Sequence, residues 1–376
     1  MADTRATANL TPEQWDDQFF TEYLTENRYA GEMGTSENNI IQVKENLTKK
    51  KGDRINFALV NKLTQDAVTG RNTMEGNEED MASRSFELAV DKRRNAVRVA
   101  EIDEQFSAIS LREAGKFVLK EWSMKDTERL ITRALGKMSS AEGVSIQMTA
   151  AAITADAGTI GDVWLANNAD RVFFGNSAYA ASSGDLSAGL ATLTPATAAE
   201  RLTAANISAM KMMAMTYANP KIRPVRSESN GRHYFTLYAH PLAFRDLKSD
   251  TTITAAQREV SVEMENNRLF KGGDLLWDGV IIKEAHDLYE YSTLTGLGDS
   301  GTVAPCFLCG AQAVGTAYAR RWRSKTEEFD YGDKHGVEIS AIYGIDKIVF
   351  GSGASDRTTL KDHGVVTGFF ASSTAA

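Results

Sequence analysis

Cysteine, histidine and proline are all scarce in this chain of 376 residues, which contains two, five and six of them. Cys306 and Cys309 are too few for a disulfide framework, and this usage is typical of a protein that folds in a reducing cytoplasm. The histidines lie far apart, with no pair at helical spacing and no Gly-x-Ser-x-Gly segment. These absences predict that the chain is not an enzyme and holds neither a cofactor nor a metal ion.

An excess of positive charge and long apolar runs are also missing. Lys and Arg total 42 against 50 Asp and Glu, which gives a formal net charge of -8. Because phosphate neutralisation needs a basic face, this balance argues against a protein whose main task is to hold nucleic acid. No apolar run reaches the roughly 18 residues of a membrane span, and the segment after Met1 lacks the features of a signal peptide. We therefore expect a soluble, intracellular chain with no membrane partner.

Residues 52–97 are the most informative stretch, because they predict two strands joined by a long polar loop. Apolar and polar side chains alternate in residues 52–60 and again in residues 85–90. The apolar positions are Ile55, Phe57 and Leu59 in the first strand and Phe86, Leu88 and Val90 in the second. A two-stranded ribbon is at best marginally stable in water, so such an arm needs another surface beneath it. We expect a neighbouring copy of the chain to supply that surface.

Two charged clusters are candidates for contacts between subunits. The loop tip carries Glu75, Glu78, Glu79 and Asp80, and the densest basic cluster carries Arg320, Arg321 and Arg323 around Trp322. The acidic cluster lacks the spacing of a calcium loop, so pairing with a neighbour's basic residues and simple solvation are both open. The basic cluster includes an aromatic residue, as a surface for single-stranded nucleic acid does, yet arginine also suits the carboxylates of a neighbouring subunit. We favour subunit contacts for both clusters.

The longest helical pattern runs from about Asp103 to Met138, which predicts a helix of about 50 Å that Gly115 or Ser123 would interrupt. Residues 150–205 predict short helices with loops. A further helix is expected to begin with Thr194 as its N-cap and a proline at its first position. Before residue 38 we expect one short amphipathic helix, either in an arm that lies on other subunits or in a frayed terminus.

Six apolar segments predict strands in the second half of the chain. They are residues 233–240, 279–282, 305–310, 337–343, 347–350 and 364–370. Strands and helices mix without a regular βαβ rhythm, which favours an α+β fold. Cys306 and Cys309 lie three positions apart in the third segment, so a strand points them to opposite faces. We interpret them as buried thiols, because a second cysteine pair for zinc is missing.

The chain also carries a series of short segments in a defined order. They are 39–44 (NIIQVK), 92–97 (KRRNAV), 240–242 (HPL), 246–247 (DL), 267–272 (NRLFKG), 277–282 (WDGVII), 343–347 (YGIDK) and 362–366 (DHGVV). This series resembles the major capsid proteins of tailed bacteriophages, and most of all their N-four-like branch. The resemblance extends from Asn39 to the C-terminus, and the order of the segments is what makes it specific.

The resemblance implies the fold shared by tailed-phage and herpesvirus major capsid proteins. The implied domains are an N-terminal arm (1–45), an extended β-hairpin loop (46–100), a peripheral domain with a long spine helix (101–199), an axial domain (200–330) and return strands of the peripheral domain (331–376). The strand pair predicted above falls in the extended loop, and the long helical pattern falls where the spine helix is expected.

The resemblance also implies that many copies assemble, as hexamers and pentamers, into an icosahedral shell around double-stranded DNA. Expected partners are a portal, a scaffold, a cement protein and packaged DNA held without sequence-specific contacts. The expected location is the virion, after assembly in the cytoplasm of a bacterial host. Two alternatives remain: an encapsulin-like nanocompartment shell, and a cytoplasmic enzyme whose site uses Asp, Glu and His.

Overall fold

The computed structural model describes residues 28–45, 52–60, 65–79, 83–107, 110–156, 158–178, 184–226, 231–259, 270–271, 274–298, 301–351 and 356–372. Within these residues, no helix has the length and apolar character needed to cross a membrane. The amphipathic helix expected before residue 38 would include Trp15 and Phe19, and both of these residues lie outside the described ranges, as does Asp80.

Helices and strands are mixed along the described chain. The helices are α1 (Glu101–Phe106), α2 (Leu111–Leu135), α3 (Ala150–Asp156), α4 (Ile160–Asn167), α5 (Leu186–Ala191), α6 (Ala204–Met212), α7 (Pro241–Lys248), α8 (Thr251–Glu259) and α9 (Asp287–Ser292). The strands are β1 (Met33–Gly34), β2 (Ile41–Lys44), β3 (Arg54–Val60), β4 (Ser83–Ala89), β5 (Asp91–Ala100), β6 (Lys137–Ala141), β7 (Val144–Gln147), β8 (Val172–Phe174), β9 (Ser177–Ala178), β10 (Val225–Arg226), β11 (His233–Ala239), β12 (Phe270–Lys271), β13 (Asp274–Trp277), β14 (Val280–Glu284), β15 (Leu294–Gly298), β16 (Gly301–Cys309), β17 (Val314–Phe329), β18 (Lys334–Lys347), β19 (Val349–Phe350), β20 (Lys361–Asp362) and β21 (Val365–Ser372).

The chain divides into two compact units. The smaller unit contains Asp91–Thr127 and Arg320–Tyr343, and the larger contains Tyr29–Val90, Glu128–Ala319 and Gly344–Ala376.

A mixed sheet forms the centre of the larger unit. Its strand order is β12-β13-β14-β11-β16-β21-β8-β9, with β10 added to β11 and β15 added to β16. β11 runs parallel to β14 and antiparallel to β16. β16 pairs antiparallel with β21 from Thr302↔Ser372 to Cys309↔Val365. This sheet contains both parallel and antiparallel pairs, and helices lie between its strands at irregular spacing. These features confirm the predicted α+β class.

Two apolar clusters share the side chains of the central strand β16. Phe307 and Cys309 belong to a cluster with Trp164, whereas Cys306 and Leu308 belong to a different cluster. Both cysteines are free and buried, as the strand pattern predicts. Burial raises the pKa of the Cys306 thiol to about 12, so this thiol stays protonated and unreactive near neutral pH.

The long helix predicted from Asp103 to Met138 is wrong at both ends. α1 ends at Phe106, α2 begins only at Leu111, and Met138 lies in strand β6. Gly115 and Ser123, the expected interruptions, both lie inside α2. With 25 residues, α2 is about 37 Å long. The apolar repeat continues past the end of α1 and into strand β6. Periodicity alone therefore does not show where a helix ends and a strand begins.

The helix expected to begin at Thr194 also begins elsewhere. Its N-cap is Thr203, whose side chain accepts a hydrogen bond from Asn206 N. Thr194 lies instead in a turn, where its backbone N–H donates to the Glu200 carboxylate at 2.7 Å. Both segments offer a threonine that suits a cap, so the local sequence does not decide between them.

In the smaller unit, the N-terminal part of α2 packs on one face of a sheet with the strand order β17-β18-β5. Arg93 of β5 donates two hydrogen bonds to Asp126 of α2, at 2.6 and 2.8 Å, and Tyr343 of β18 donates a third at 2.9 Å. Trp322 of β17 contacts Trp122 of α2 with ring centroids 5.8 Å apart. α2 therefore contacts the same face of all three strands, at Arg93, Tyr343 and Trp322.

Candidate subunit interface

The predicted arm is present as an antiparallel pair of β3 and β4, in register from Arg54↔Ala89 to Val60↔Ser83. The apolar face of the pair is buried in a cluster whose members are Ile55, Phe57, Phe86, Leu88, Ala317, Ile348, Val349, Phe350 and Leu360. All of these residues belong to one chain. The expectation that a neighbouring copy covers the arm is therefore wrong for the strands, which pack on their own subunit.

An ion network fixes the base of the arm to the rest of the larger unit. Glu87 of β4 lies 3.1 Å from Arg54 and 3.9 Å from Arg357. Arg357 also pairs with Glu142, in the β6–β7 turn, at 3.1 Å, and its carbonyl accepts a hydrogen bond from the Glu142 N–H. These residues, apart from Arg54, line a cavity of about 220 Å³ beside the arm. Each exposed pair is weak, but together they orient the arm base.

The arm tip, residues 65–79, is exposed as far as Glu78, and Glu79 is half-buried. Glu79 accepts a hydrogen bond from Gln65 N at 2.8 Å, and Glu78 accepts one from Gly76 N at 2.7 Å. Gly76 has φ +88°, a conformation that glycine adopts without steric cost and that turns the chain at this point. Three of the four predicted acidic residues, Glu75, Glu78 and Glu79, thus lie together on the tip.

The structure separates the three predicted arginines, all of which lie on β17. Arg320 is half-buried and donates a hydrogen bond to Ser340 Oγ at 3.1 Å within its own unit. Arg321 and Arg323 are exposed, while Trp322 between them packs against α2. Because side chains alternate along a strand, Arg321 and Arg323 point to the opposite face from Trp322. The acidic and basic clusters lie in different compact units of the chain.

A buried ion pair in the larger unit was missed by the sequence analysis. Lys347 Nζ lies 2.6 Å from Asp362 Oδ2, and their side chains are 1% and 2% exposed. Asp362 Oδ2 also accepts a hydrogen bond from Trp164 Nε1 at 3.3 Å, and Lys347 Nζ lies 5.6 Å from the centroid of the same ring. Both charged residues are in the segments that carry the family resemblance, but nothing in their spacing signals a contact.

Two histidines are held neutral by burial. His240 precedes α7, its Nδ1 accepts a hydrogen bond from Leu242 N, and its Nε2 lies 2.9 Å from Thr293 Oγ1. Burial lowers the pKa of His240 to about 4, and burial is also the main cause that lowers the pKa of His363 to about 4. His240 therefore acts as a helix cap. Among the described residues, no group of three or more His, Cys, Asp or Glu is placed to hold a metal ion.

Each comparison with known proteins covers almost the whole chain. The family model described as phage capsid protein matches residues 6–373. The major capsid protein of Pseudomonas phage KPP25 is 28% identical over 377 aligned residues, which cover 97% of this chain and 96% of that protein. The capsid asymmetric unit of cyanophage Pam1 has a TM-score of 0.86 at 29% identity, with 100% of both chains covered. The capsid of Ralstonia phage GP4, at 22% identity and a TM-score of 0.73 over 100% of both chains, shares the fold.

Proposed function

Since the chain belongs to the phage capsid protein family and is a major capsid protein that forms the shell of a bacteriophage, we propose that its copies assemble as hexamers and pentamers around a double-stranded DNA genome. The proposal is supported by the arm tip, residues 65–79, which projects polar and acidic side chains into solvent instead of packing on its own subunit. A chain that acted alone gains little from such a segment, because it buries almost no apolar surface.

The matches do not favour the two alternative functions. The proteins matched are phage capsid proteins, and neither a nanocompartment shell nor an enzyme is among those named above. We propose that the chain has no catalytic activity, in keeping with a structural family. Its assignment to the N-four-like branch stays a prediction.

The domain assignment is part of this proposal. The N-terminal arm is residues 1–45, the extended loop is 46–100, the peripheral domain is 101–199 with 331–376, and the axial domain is 200–330. In this proposal α2 would be the spine helix, and β3 with β4 would be the extended hairpin. The mixed sheet with β11, β14 and β16 lies largely in the axial domain.

The interface role of the charged clusters is also a proposal. Glu75, Glu78 and Glu79, with Asp80 beside them in the sequence, would meet basic residues of a neighbouring subunit. Arg321 and Arg323 would meet carboxylates, because their exposed guanidinium groups suit bidentate pairing. Arg320, which is half-buried and bonded to Ser340, would support the strand from within the subunit.

The proposed partners follow from an acidic shell protein. A net charge of -8 disfavours tight binding of the genome by the shell, so packaged DNA would be held without sequence-specific contacts and released readily. A portal, a scaffold and a cement protein are the further proposed partners. Assembly would take place in the cytoplasm of the bacterial host, before the shell becomes part of the virion.

Electron microscopy and nuclease protection test this function. The full chain, expressed with its phage's scaffold, is expected to form closed shells with hexameric and pentameric capsomers, and virions are expected to contain nuclease-protected double-stranded DNA. The R321A substitution is expected to reduce capsomer formation before any DNA is present, while R232A, at an exposed arginine of the larger unit, is not. Small soluble oligomers as the end product would contradict the shell function, and normal empty R321A shells that fail only in packaging would assign Arg321 to DNA.

A further inference from the structure

The segment around strand β10, in the larger unit, is rich in basic side chains although the chain as a whole is acidic. β10 pairs antiparallel with the start of β11, so that Arg226 lies opposite His233. Ile222 and Val225 are buried, at 3% and 6% exposure, and they hold the segment on the apolar core. The exposed cations of the segment are Lys221, Arg223, Arg226 and Arg232. We define the basic strip as these four residues.

The acidic residues that the structure places next to the basic strip are already paired with cations. The pairs are Glu37 with Arg223 at 4.0 Å, Asp278 with Lys211 at 2.9 Å, and Asp170 with Lys361 at 3.1 Å. Among the described residues, Lys221, Arg226 and Arg232 form no ion pair. The basic strip therefore keeps a local surplus of three positive charges.

The cations of the basic strip lie close together. Lys221, Arg223 and Arg226 are within five residues of one another, so their backbones span at most about 18 Å. Arg232 precedes His233, the register partner of Arg226, and so joins the strip at its β10 end. A DNA duplex presents about ten phosphate charges over the same length. One strip can therefore contact several phosphates of a single duplex.

The chemistry of the basic strip suits phosphate better than a protein partner. The two large aliphatic side chains of the segment, Ile222 and Val225, are buried, and the core of a protein interface is usually apolar. Contacts with a phosphate backbone need only exposed cations, and the arginine fork matches phosphate oxygens bidentately. The charges and the lack of an exposed aliphatic side chain therefore favour a polyphosphate partner.

We propose that the basic strip contacts the phosphate backbone of the packaged double-stranded DNA. This inference rests on the proposed function, since it names the surface on which the shell meets the genome. A strip of four cations reads no base sequence, and its contacts are screened by salt. Every copy of the chain supplies one strip, so weak contacts repeat around the shell and hold the outer layer of DNA without binding it tightly. An acidic segment of a protein partner is the other occupant that the charges allow.

Duplex binding by unassembled subunits tests the phosphate contact. Fluorescence anisotropy with a labelled 20-base-pair duplex of random sequence measures affinity at several salt concentrations. The K221Q/R226Q/R232Q variant is expected to bind about tenfold or more weakly at low salt and to make the slope of log affinity against log salt shallower by about 2.7, because three phosphate contacts are lost. The R226K/R232K variant keeps the charges and is expected to bind nearly as the parent does. A matched K116Q/K120Q/K125Q variant, at exposed lysines of α2, is expected to bind as the parent does.

Lysine footprinting in virions tests whether the basic strip faces the genome. Acetylation by a small amine-reactive ester, followed by mass spectrometry, is compared between DNA-filled virions and virions that have released their DNA. Lys221 is expected to react several-fold more slowly in the filled virions, because phosphate contacts cover its amine, whereas Lys120 of α2 is expected to react equally in both. Empty shells of K221Q/R226Q/R232Q are expected to form in normal yield, since no subunit contact is lost.

Several results would overturn the inference. Equal duplex binding by the parent and K221Q/R226Q/R232Q would do so, as would an equal loss of binding in the α2 control, or equal reactivity of Lys221 in filled and emptied virions. Loss of empty shells in a K221Q/R226Q/R232Q chain that melts like the parent would assign the basic strip to an acidic protein partner. Failure of the parent chain to form shells would contradict the proposed function instead, and duplex binding by unassembled subunits would still decide whether the strip holds phosphate.

Discussion

Removing the Lys347 ammonium group is expected to destabilise the subunit strongly. The K347M variant has a side chain of similar length but leaves the Asp362 carboxylate, which is 2% exposed, without its cation at 2.6 Å. The Trp164 N–H remains as a donor to the same oxygen, and Asp362 Oδ1 has no hydrogen-bond partner among the described residues. Loss of one member of a buried ion pair costs roughly 3–5 kcal/mol of unfolding free energy. We expect a cost in this range.

A double-mutant cycle separates the coupling energy between Lys347 and Asp362 from the cost of changing each residue alone. D362N removes the negative charge and keeps an oxygen for the Trp164 N–H, so K347M/D362N is expected to cost well below the sum of the single variants. A matched control is K137M, because Lys137 and Asp346 also lie 2.5 Å apart but are 27% and 22% exposed. Partly exposed pairs contribute roughly 0–1 kcal/mol, so this variant is expected to be nearly as stable as the parent.

Urea unfolding of unassembled subunits, followed by tryptophan fluorescence, measures these differences. A cost below about 1 kcal/mol for K347M, or single costs that simply add, would contradict a desolvated ion pair, because such a pair must show coupling.

Three further predictions concern the cysteines, a histidine and the arm tip. The C306A/C309V variant is expected to assemble almost normally, since small apolar side chains replace buried thiols at modest cost; bound zinc in the parent, or loss of shells in the variant, would contradict this. Below pH 6.5 the unfolded chain protonates His240 while the folded chain keeps it neutral down to about pH 4, so unfolding free energy is expected to fall by about 3 kcal/mol over that interval. Urea titrations at several pH values measure this loss. Burial lowers the pKa of His363 to about 4 as well, so H240N is expected to lose less stability than the parent over this interval but to keep the part that His363 contributes. Replacement of residues 70–80 by a short Gly-Ser turn is expected to leave subunit melting nearly unchanged but to prevent shell closure, because loss of about 1.4 kcal/mol per contact weakens each contact tenfold. Normal shells from the shortened chain would count against the interface role of the tip.

Two kinds of strand were predictable from the sequence: strands with strict alternation, such as β3 and β4, and the short apolar runs of β11, β14, β16 and β21. Ile55, Phe57, Phe86 and Leu88 are buried together, and β11, β14, β16 and β21 lie where their apolar patterns indicate. A period of two residues identifies a strand with one covered face, and the position of the two cysteines follows from the same rule. The long strand β17 was not predicted, since its second half is exposed and charged and lacks an apolar period.

The candidate interface was only partly predictable. Composition locates Glu75 and Arg321 as charged candidates, but only the order of strands in the sheet shows that β18 lies between β17 and β5. Arg320 is half-buried and bonds to Ser340 within its own unit, a contact that the local sequence does not indicate. Such contacts depend on which distant segments become neighbours, and local patterns carry no information about that.

Pro305 gives the central strand β16 a protection that matters while the chain folds. Apolar side chains cover both faces of β16 and β21, so each is a short, uncharged segment with a strong tendency to pair with identical strands of other unfolded copies. Among the described strands, β15 pairs with β16 as far as Val303 and β11 pairs from Phe307 onward, so residues 304–306 pair with β21 alone. The proline, which has no N–H, stands in this gap and removes no hydrogen bond on that side. In a stack of identical unfolded copies the same proline would interrupt the ladder of hydrogen bonds, which disfavours aggregation through β16.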